Sequence, residues 1–149
     1  MTVRRCIALL CVPLFTTGVA GCASAVSTSA FKGEQQQVAQ TVAHLQSHAT
    51  GLEAKKVCGE DLASANVARL STATGGCKKA VETQLKQIDN FETTVESVQV
   101  SGDKALAHVK SIYSGKSAIQ TLTLVKERGK WRISGTVGFL VVPKAGAAG

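Results

Sequence analysis

The sequence predicts an α+β domain, because a helical hydrophobic period is followed by a strand period along the chain. Between residues 33 and 88 apolar side chains recur every three or four positions, and after Asp89 they alternate with polar ones. Short turns separate the alternating segments, which is typical of antiparallel strands that follow one another in sequence. We therefore expect N-terminal helices packed on one face of a curved antiparallel sheet of about four strands.

A targeting segment precedes this domain. Arg4 and Arg5 lead into an apolar stretch that is shorter than the roughly 20 residues needed to span a bilayer. The next residues, Val19-Ala20-Gly21-Cys22, resemble the lipobox of bacterial lipoproteins. We expect residues 1–21 to be a lipoprotein signal peptide and an acylated Cys22 to anchor the chain in the cell membrane, on its extracytoplasmic face. The alternative is an ordinary secretory signal cleaved nearby, which would leave Cys22 as a thiol.

Composition divides the rest of the chain into three parts. Residues 22–32 are rich in Ser, Thr and Ala and predict a flexible tether, residues 33–142 form the domain, and residues 143–149 predict a disordered tail. Without residues 1–21 the chain has 15 basic and 10 acidic residues, a net charge of +5. This charge favours anionic headgroups or wall polymers, although a solvated basic surface explains it equally well. Aromatic and basic residues do not interleave, and we expect no nucleic-acid partner.

Cysteine usage indicates a disulfide. Cys6 and Cys11 leave with the signal peptide, and Cys22 is the predicted lipidation site. The remaining pair, Cys58 and Cys77, would be exported to an oxidising compartment, so we expect a bond between them. Metal ligation is the alternative, but two cysteines without a nearby histidine cluster make a poor zinc site, and we expect no metal and no cofactor.

Three helices are predicted before residue 89. The first carries an apolar stripe that ends before Gly51, the second covers residues 60–70, and the third follows Gly75-Gly76 over residues 77–88. The stripe of the first helix consists of Val38, Val42, Leu45 and Ala49, and that of the third of Val81, Leu85 and Ile88.

Four strands are predicted after residue 89. Phe91, Thr93 and Val95 share one face of the first, and residues 98–100 are out of step with them, which indicates a bulge. The next strands cover residues 105–113 and 118–125, and Trp131 and Ile133 mark the fourth. Residues 138–142 are expected to add an edge strand.

Three marks give the chain a family resemblance over residues 38–134. They are Cys58-Gly59-Glu60-Asp61-Leu62 with the second cysteine at Cys77, the turn at Gly102-Asp103, and the ending Gly129-Lys130-Trp131-Arg132-Ile133. With these marks the chain resembles bacterial (actinobacterial-type) lipoproteins with a nuclear-transport-factor-2-like domain, also called SnoaL-like or cystatin-like. The resemblance implies a cone-shaped fold with a pocket between helices and sheet. That fold serves isomerases, dehydratases and many non-enzymatic binding modules.

The histidines are weak candidates for chemistry. His44 and His48 share a helix face and could hold a metal, but no third ligand is apparent, so both are expected to be solvent-exposed. His108, on the second strand, is the one weak catalytic candidate, since the resembling enzymes use Asp or His in the cone as a base. No acid in the sequence must face it, and an exposed strand histidine is the preferred interpretation. We therefore assign no catalytic residue.

Basic residues alternate along the last strand. Lys130 and Arg132 should face away from Trp131 and Ile133, so that one strand face is basic and the other belongs to the core. A solvated face is preferred here to an anion site.

These observations predict a membrane-anchored, non-catalytic binding or interaction module of the cell envelope. Its partners would be membrane lipid through Cys22 and a small apolar ligand, a wall component or another envelope protein. One alternative is a pocket enzyme of isomerase or dehydratase type with His108 as base. The other is a structural spacer or an accessory to cell-wall enzymes.

Overall fold

The computed structural model describes residues 27–135 together with Gly138 and Leu140. The predicted signal peptide, Cys22 and the tail at residues 143–149 lie outside the described residues, as does most of the predicted edge strand. The helices come first, and a four-stranded antiparallel sheet follows, which confirms the α+β class. Within the described ranges no helix is long and apolar enough to cross a membrane.

The first helix, α1 (Gly33–Thr50), packs its predicted stripe into the core. Val38, Val42 and Leu45 are fully buried, and Gly51 follows the last helical residue. A buried amide ties this helix to the sheet, because Gln46 Oε1 accepts hydrogen bonds from the backbone N–H of Thr93 at 2.7 Å and from its hydroxyl at 2.8 Å. Phe31, which precedes the helix, is half-buried against the same core.

The prediction of one continuous second helix over residues 60–70 is wrong. The structure has a short helix α2 (Ala54–Lys56), a π-helical segment (Val57–Asp61) and, after a break, α3 (Ser64–Leu70). The break comes at Leu62, whose ψ of 143° is extended. Leu62 pairs in parallel with Ile133, and the N–H of Ala63 donates to the Ile133 carbonyl at 2.9 Å. Pairing with a strand distant in sequence thus overrides the local helical preference.

The last helix, α4 (Gly76–Leu85), is shorter than predicted. Its buried residues include Val81 and Leu85, whereas Ile88 is half-buried beyond the helix end. Gly75 and Gly76 have φ values of +88° and +72°, a region that favours glycine. A side chain on Gly75 would also lie 2.7 Å from Lys79 Cβ, so this turn tolerates no larger residue.

The sheet has the simplest order, β1-β2-β3-β4, with every pair antiparallel. Its strands are β1 (Phe91–Ser101), β2 (Lys104–Tyr113), β3 (Lys116–Glu127) and β4 (Lys130–Ile133). The predicted bulge in β1 is confirmed, since the register with β2 shifts between Val95 and Ser97. The bulge keeps Val98 on the buried face after two consecutive exposed residues.

The helices cover one face of the sheet, as predicted. The space between them and the inner face is filled by apolar side chains, which include Leu45, Leu85, Val109, Leu122, Leu124 and Trp131. On the outer face, by contrast, Ile119 is 74% exposed.

A buried asparagine holds the end of β4. Asn66, on α3, is fully buried, and its Nδ2 donates to the carbonyl oxygens of Ile133 at 3.0 Å and Gly135 at 3.1 Å. Its own oxygen accepts a hydrogen bond from Arg69. All polar groups of this buried amide are therefore engaged, as expected for a polar side chain without access to water.

Replacing Asn66 with Ala should lower the free energy of unfolding by about 2–4 kcal/mol, because its three hydrogen bonds are lost and the Gly135 carbonyl loses its donor from Asn66. Urea unfolding followed by circular dichroism measures this loss. The matched control is Gln87→Ala, an exposed amide, which should change stability by less than about 0.5 kcal/mol. An equal, small effect of both substitutions would contradict the structural role of Asn66.

Candidate functional site

Two clefts meet beside the edge strand β4. The larger, the hairpin cleft, has a volume of about 860 Å³, and its walls include Cys58, Gly59, Leu62, Val67, Arg128, Lys130 and Arg132. The second, the Trp131 cleft, measures about 640 Å³ and is lined by Gln37, Gln40, His44, Glu60 and Trp131 among others. The two clefts share the lining residues Gly59, Lys130 and Arg132. The clefts therefore meet where β4 faces the π-helical segment.

The β3–β4 hairpin supplies the positive charge of the hairpin cleft. Its two-residue turn places Arg128 at φ +51° and Gly129 at φ +78°, and pairs Glu127 with Lys130. The predicted alternation along β4 is confirmed: Trp131 and Ile133 are buried, and Lys130 is exposed. Arg132 donates to the Gly59 carbonyl at 3.0 Å. Among the described residues, Arg128, Lys130 and Arg132 form no salt bridge.

The acidic group of this cleft already has hydrogen-bond donors. Both carboxylate oxygens of Glu127 lie 3.1 Å from the backbone nitrogen of Ser64, and the Ser64 hydroxyl donates to one of them at 2.9 Å. Ser64 is the first residue of α3, where backbone N–H groups lack helical partners and favour a negative charge. Glu127 thus joins the hairpin to α3, and its charge is directed towards the helix terminus.

One member of the predicted cysteine pair, Cys58, forms part of the wall of the hairpin cleft. Cys58 lies in the π-helical segment and Cys77 in the first turn of α4, with their sulfur atoms 2.10 Å apart and their Cα atoms 6.3 Å apart. Cys77 is buried and Cys58 is half-buried. In the part of the chain that the structure describes, no group of three or more His, Cys, Asp and Glu side chains could hold a metal ion.

The structure corrects the expectation for His48. Its Nδ1 lies 2.8 Å from Oδ2 of Asp61, and its side chain is only 13% exposed, whereas His44 is exposed as predicted. Asp61 is almost completely buried, and this burial raises the pKa of its carboxyl group to about 6, against the opposing effect of the His48 hydrogen bond. Sequence reasoning missed this pair because the break at Leu62, which sets the position of Asp61, depends on a distant strand.

An unpaired donor lies in the wall of the second cleft. Trp131 is 3% exposed, and its indole Nε1–H has no hydrogen-bond partner among the described residues. The Lys126 ammonium group lies 5.6 Å from the centre of its ring. A buried donor without an acceptor costs about 1–3 kcal/mol, so an acceptor bound at this position would be stabilised.

His108 lies on the outer face of the sheet. Its Nδ1 is 3.0 Å from the hydroxyl oxygen of Thr121, its cross-strand neighbour. The inner positions on either side, Ala107 and Val109, are buried in the core. His108 lines neither of the two clefts. Asp103 lies at the β1–β2 turn, where its backbone oxygen accepts a hydrogen bond from the N–H of Lys126. The interior position that a base would need is therefore occupied by apolar side chains.

A third groove, of about 540 Å³, lies at the end of the sheet and includes Gln99, Leu106, Thr123 and Val125. Its lining carries one charged group, Lys104. The hairpin cleft, by contrast, combines an apolar wall with three cations. We regard the hairpin cleft as the candidate site because small-ligand pockets typically combine apolar area with a few converging polar groups.

Comparison with known families gives a match to part of the chain. A family model described as "Putative lumazine-binding", a SnoaL-like or nuclear-transport-factor-2-like type of domain, matches residues 76–137. This stretch contains α4, all four strands and the cationic hairpin, but not α1 or Cys58. No curated protein and no solved structure gave a match. The family resemblance is therefore supported at the level of the domain type.

The raised pKa of Asp61 predicts a pH-dependent contribution to stability. Because the folded state binds a proton on this group more tightly than the unfolded state does, the contribution of Asp61 should become less favourable between about pH 4 and about pH 6. Asp61→Asn removes this titration. Urea unfolding should therefore show the variant gaining stability relative to the native chain as the pH rises through this window.

The exposed Asp89 provides the control, since Asp89→Asn removes a carboxylate from the surface. Between about pH 4 and about pH 6, the gain in the free energy of unfolding should be larger for Asp61→Asn than for Asp89→Asn. A stability difference for Asp61→Asn that is independent of pH would contradict the assignment.

The cysteine pair should be oxidised in the purified protein. Mass spectrometry of unreduced peptides should find Cys58 linked to Cys77. Loss of the link in a Cys58→Ala, Cys77→Ala double variant should lower the free energy of unfolding by about 3 kcal/mol, as expected for a sequence separation of 19 residues. Reducing agent should destabilise the native chain by a similar amount and leave the double variant unchanged. Two free thiols in the purified protein would refute the pairing.

Proposed function

We propose that this protein is a lipid-anchored binding module on the extracytoplasmic face of a bacterial cell membrane, and that it binds a small ligand without catalysing a reaction. The lipobox-like residues before Cys22 support the anchor and the location. The family match at residues 76–137 supports a ligand-binding role, because the matched family is described by what it binds.

The observation that carries the binding role is the hairpin cleft itself. It is an open space of about 860 Å³ beside an interior that is otherwise packed with apolar side chains. Its volume lies within the roughly 300–1,000 Å³ of small-molecule sites. Its two walls belong to elements held together by Glu127 and Asn66, so the site is largely pre-formed.

The packed interior argues against the enzyme alternative. A general base must reach the proton that it removes, within about 3 Å or through one water molecule. His108 is bonded to Thr121 on the outer face of the sheet and does not line the hairpin cleft. His48, on α1, and Asp61, in the π-helical segment, pair with each other, with Nδ1 and Oδ2 2.8 Å apart. Neither residue lines the two clefts beside β4.

Purification from membranes followed by mass spectrometry tests both parts of the proposal. The anchor predicts an N-terminal peptide that begins at Cys22 and carries acyl chains, because removal of residues 1–21 exposes a thiol and an amino group. The binding role predicts a small molecule that stays with the protein and is lost on unfolding. A spacer would retain no ligand, and an accessory to wall enzymes would instead be isolated with a protein partner.

Cys22→Ser should move the protein from the membrane fraction to the soluble exported fraction, since a single residue provides the lipid attachment. Fractionation and immunodetection measure the shift, and intact mass shows whether residues 1–21 have been removed. The matched control, Ser24→Ala, should remain in the membrane fraction. A Cys22→Ser protein that lacks residues 1–21 and still sediments with membranes would contradict the anchor.

A further inference from the structure

The two walls of the hairpin cleft differ in chemistry. One wall is the β3–β4 hairpin, with the side chains of Arg128, Lys130 and Arg132. The other contains Leu62, Val67 and the exposed Ala68, from the segment that leads into and through α3. A ligand that fills this space therefore meets positive charge on one side and apolar surface on the other.

The positive charge of the hairpin wall is not neutralised within the described part of the chain. None of its three cations has an acidic partner within salt-bridge distance. Glu127, the acid in the same wall, is held by the backbone and hydroxyl of Ser64. Like charges gathered on one short hairpin repel one another, and a bound anion would relieve this repulsion.

One of the cations is fixed in place. The Arg132 guanidinium donates from Nη1 to the Gly59 carbonyl at 3.0 Å, which orients its planar group while other N–H donors remain available. Orientation before binding lowers the entropy lost when an anion is bound. Gly59 also leaves space, because a Cβ built on it would meet no atom within 4 Å.

We infer that the hairpin cleft binds an amphipathic anion, with its phosphate or carboxylate among Arg128, Lys130 and Arg132 and its apolar part on Val67 and Ala68. This inference rests on the proposed binding function and names the class of ligand. It also gives the basic face of β4 a role beyond solvation.

The position of the hairpin allows two sources for such a ligand. Lys126, two residues before Arg128, pairs with Glu34 in the first turn of α1, so the hairpin lies beside the end of α1 from which the N-terminal segment extends. Residues 22–30, which precede Phe31, span at most about 30 Å when extended. The cleft could thus meet the headgroup of an anionic membrane lipid, or take up a free amphipathic anion near the membrane.

Octyl phosphate is a suitable probe because it carries one phosphate and one apolar chain, and octyl glucoside is its uncharged counterpart. Binding is measured on the full exported chain carrying Cys22→Ser, which removes the native acyl chains. Trp131, the one tryptophan of the sequence, lies between Lys130 and Arg132 and reports binding by fluorescence. Amide shifts of the hairpin residues in NMR spectra give the location.

Octyl phosphate should bind, and octyl glucoside should bind at least tenfold more weakly. Lys130→Gln should weaken octyl phosphate binding by about tenfold, because a charge-assisted contact of about 1.4 kcal/mol is lost. Gly59→Phe should abolish it by filling the cleft, with the fold checked by circular dichroism. The matched control, Lys110→Gln, removes an exposed lysine from β2 outside the cleft and should leave binding unchanged.

Vesicles distinguish the two sources. If phosphatidylglycerol vesicles bind the Cys22→Ser chain, phosphatidylcholine vesicles do not, and octyl phosphate competes, the ligand is a membrane lipid. If octyl phosphate binds through Lys130 but neither vesicle does, the ligand is a free anion. Either result supports the inference.

Equal binding of octyl phosphate and octyl glucoside would overturn the inference. Binding of octyl phosphate that Lys130→Gln leaves intact would also overturn it. A neutral molecule retained in the cleft and displaced by Gly59→Phe would refute the anionic class while leaving the proposed binding function in place. An absence of any retained ligand or bound probe would refute both.

Discussion

The architecture depends on one contact, in which the carbonyl of Ile133 accepts hydrogen bonds from the backbone of Ala63 and the side chain of Asn66. This contact occupies the outer edge of β4 and interrupts the helical region at Leu62. As a result, the π-helical segment packs against β4, and the space bordered by this segment, α3 and the β3–β4 hairpin is the hairpin cleft. Without this contact the edge strand would have unpaired backbone groups, which are costly when buried.

Three buried polar ties, distant in sequence, set the helices on the sheet. Gln46 holds α1 to Thr93 of β1, His48 holds α1 to Asp61, and Asn66 holds α3 to β4. Such ties contribute little net stability when they are intact, but they penalise every arrangement that leaves their groups unpaired. The apolar core provides most of the driving force for folding, and the polar ties select one packing of it.

Filling the interior has a functional consequence. A cone with an open interior could hold a substrate between helices and sheet, but here that space holds Leu45, Leu122 and Trp131. The open space with polar groups lies instead at the sheet edge, where the β3–β4 hairpin presents cations and α3 presents apolar surface. A site of this kind is suited to retaining a ligand, and it lies beside the first turn of α1.

The sequence by itself determined the α+β class, the stripe of α1, the bulge in β1 and the alternation along β4, because these features depend on local periodicity. It also singled out Cys58 and Cys77. Only the tertiary structure decided where the helix beginning near residue 54 breaks and that His48 pairs with Asp61. Each of these depends on a contact with a segment distant in sequence, such as that between Leu62 and Ile133, and local pattern carries no information about which distant partner a residue will meet.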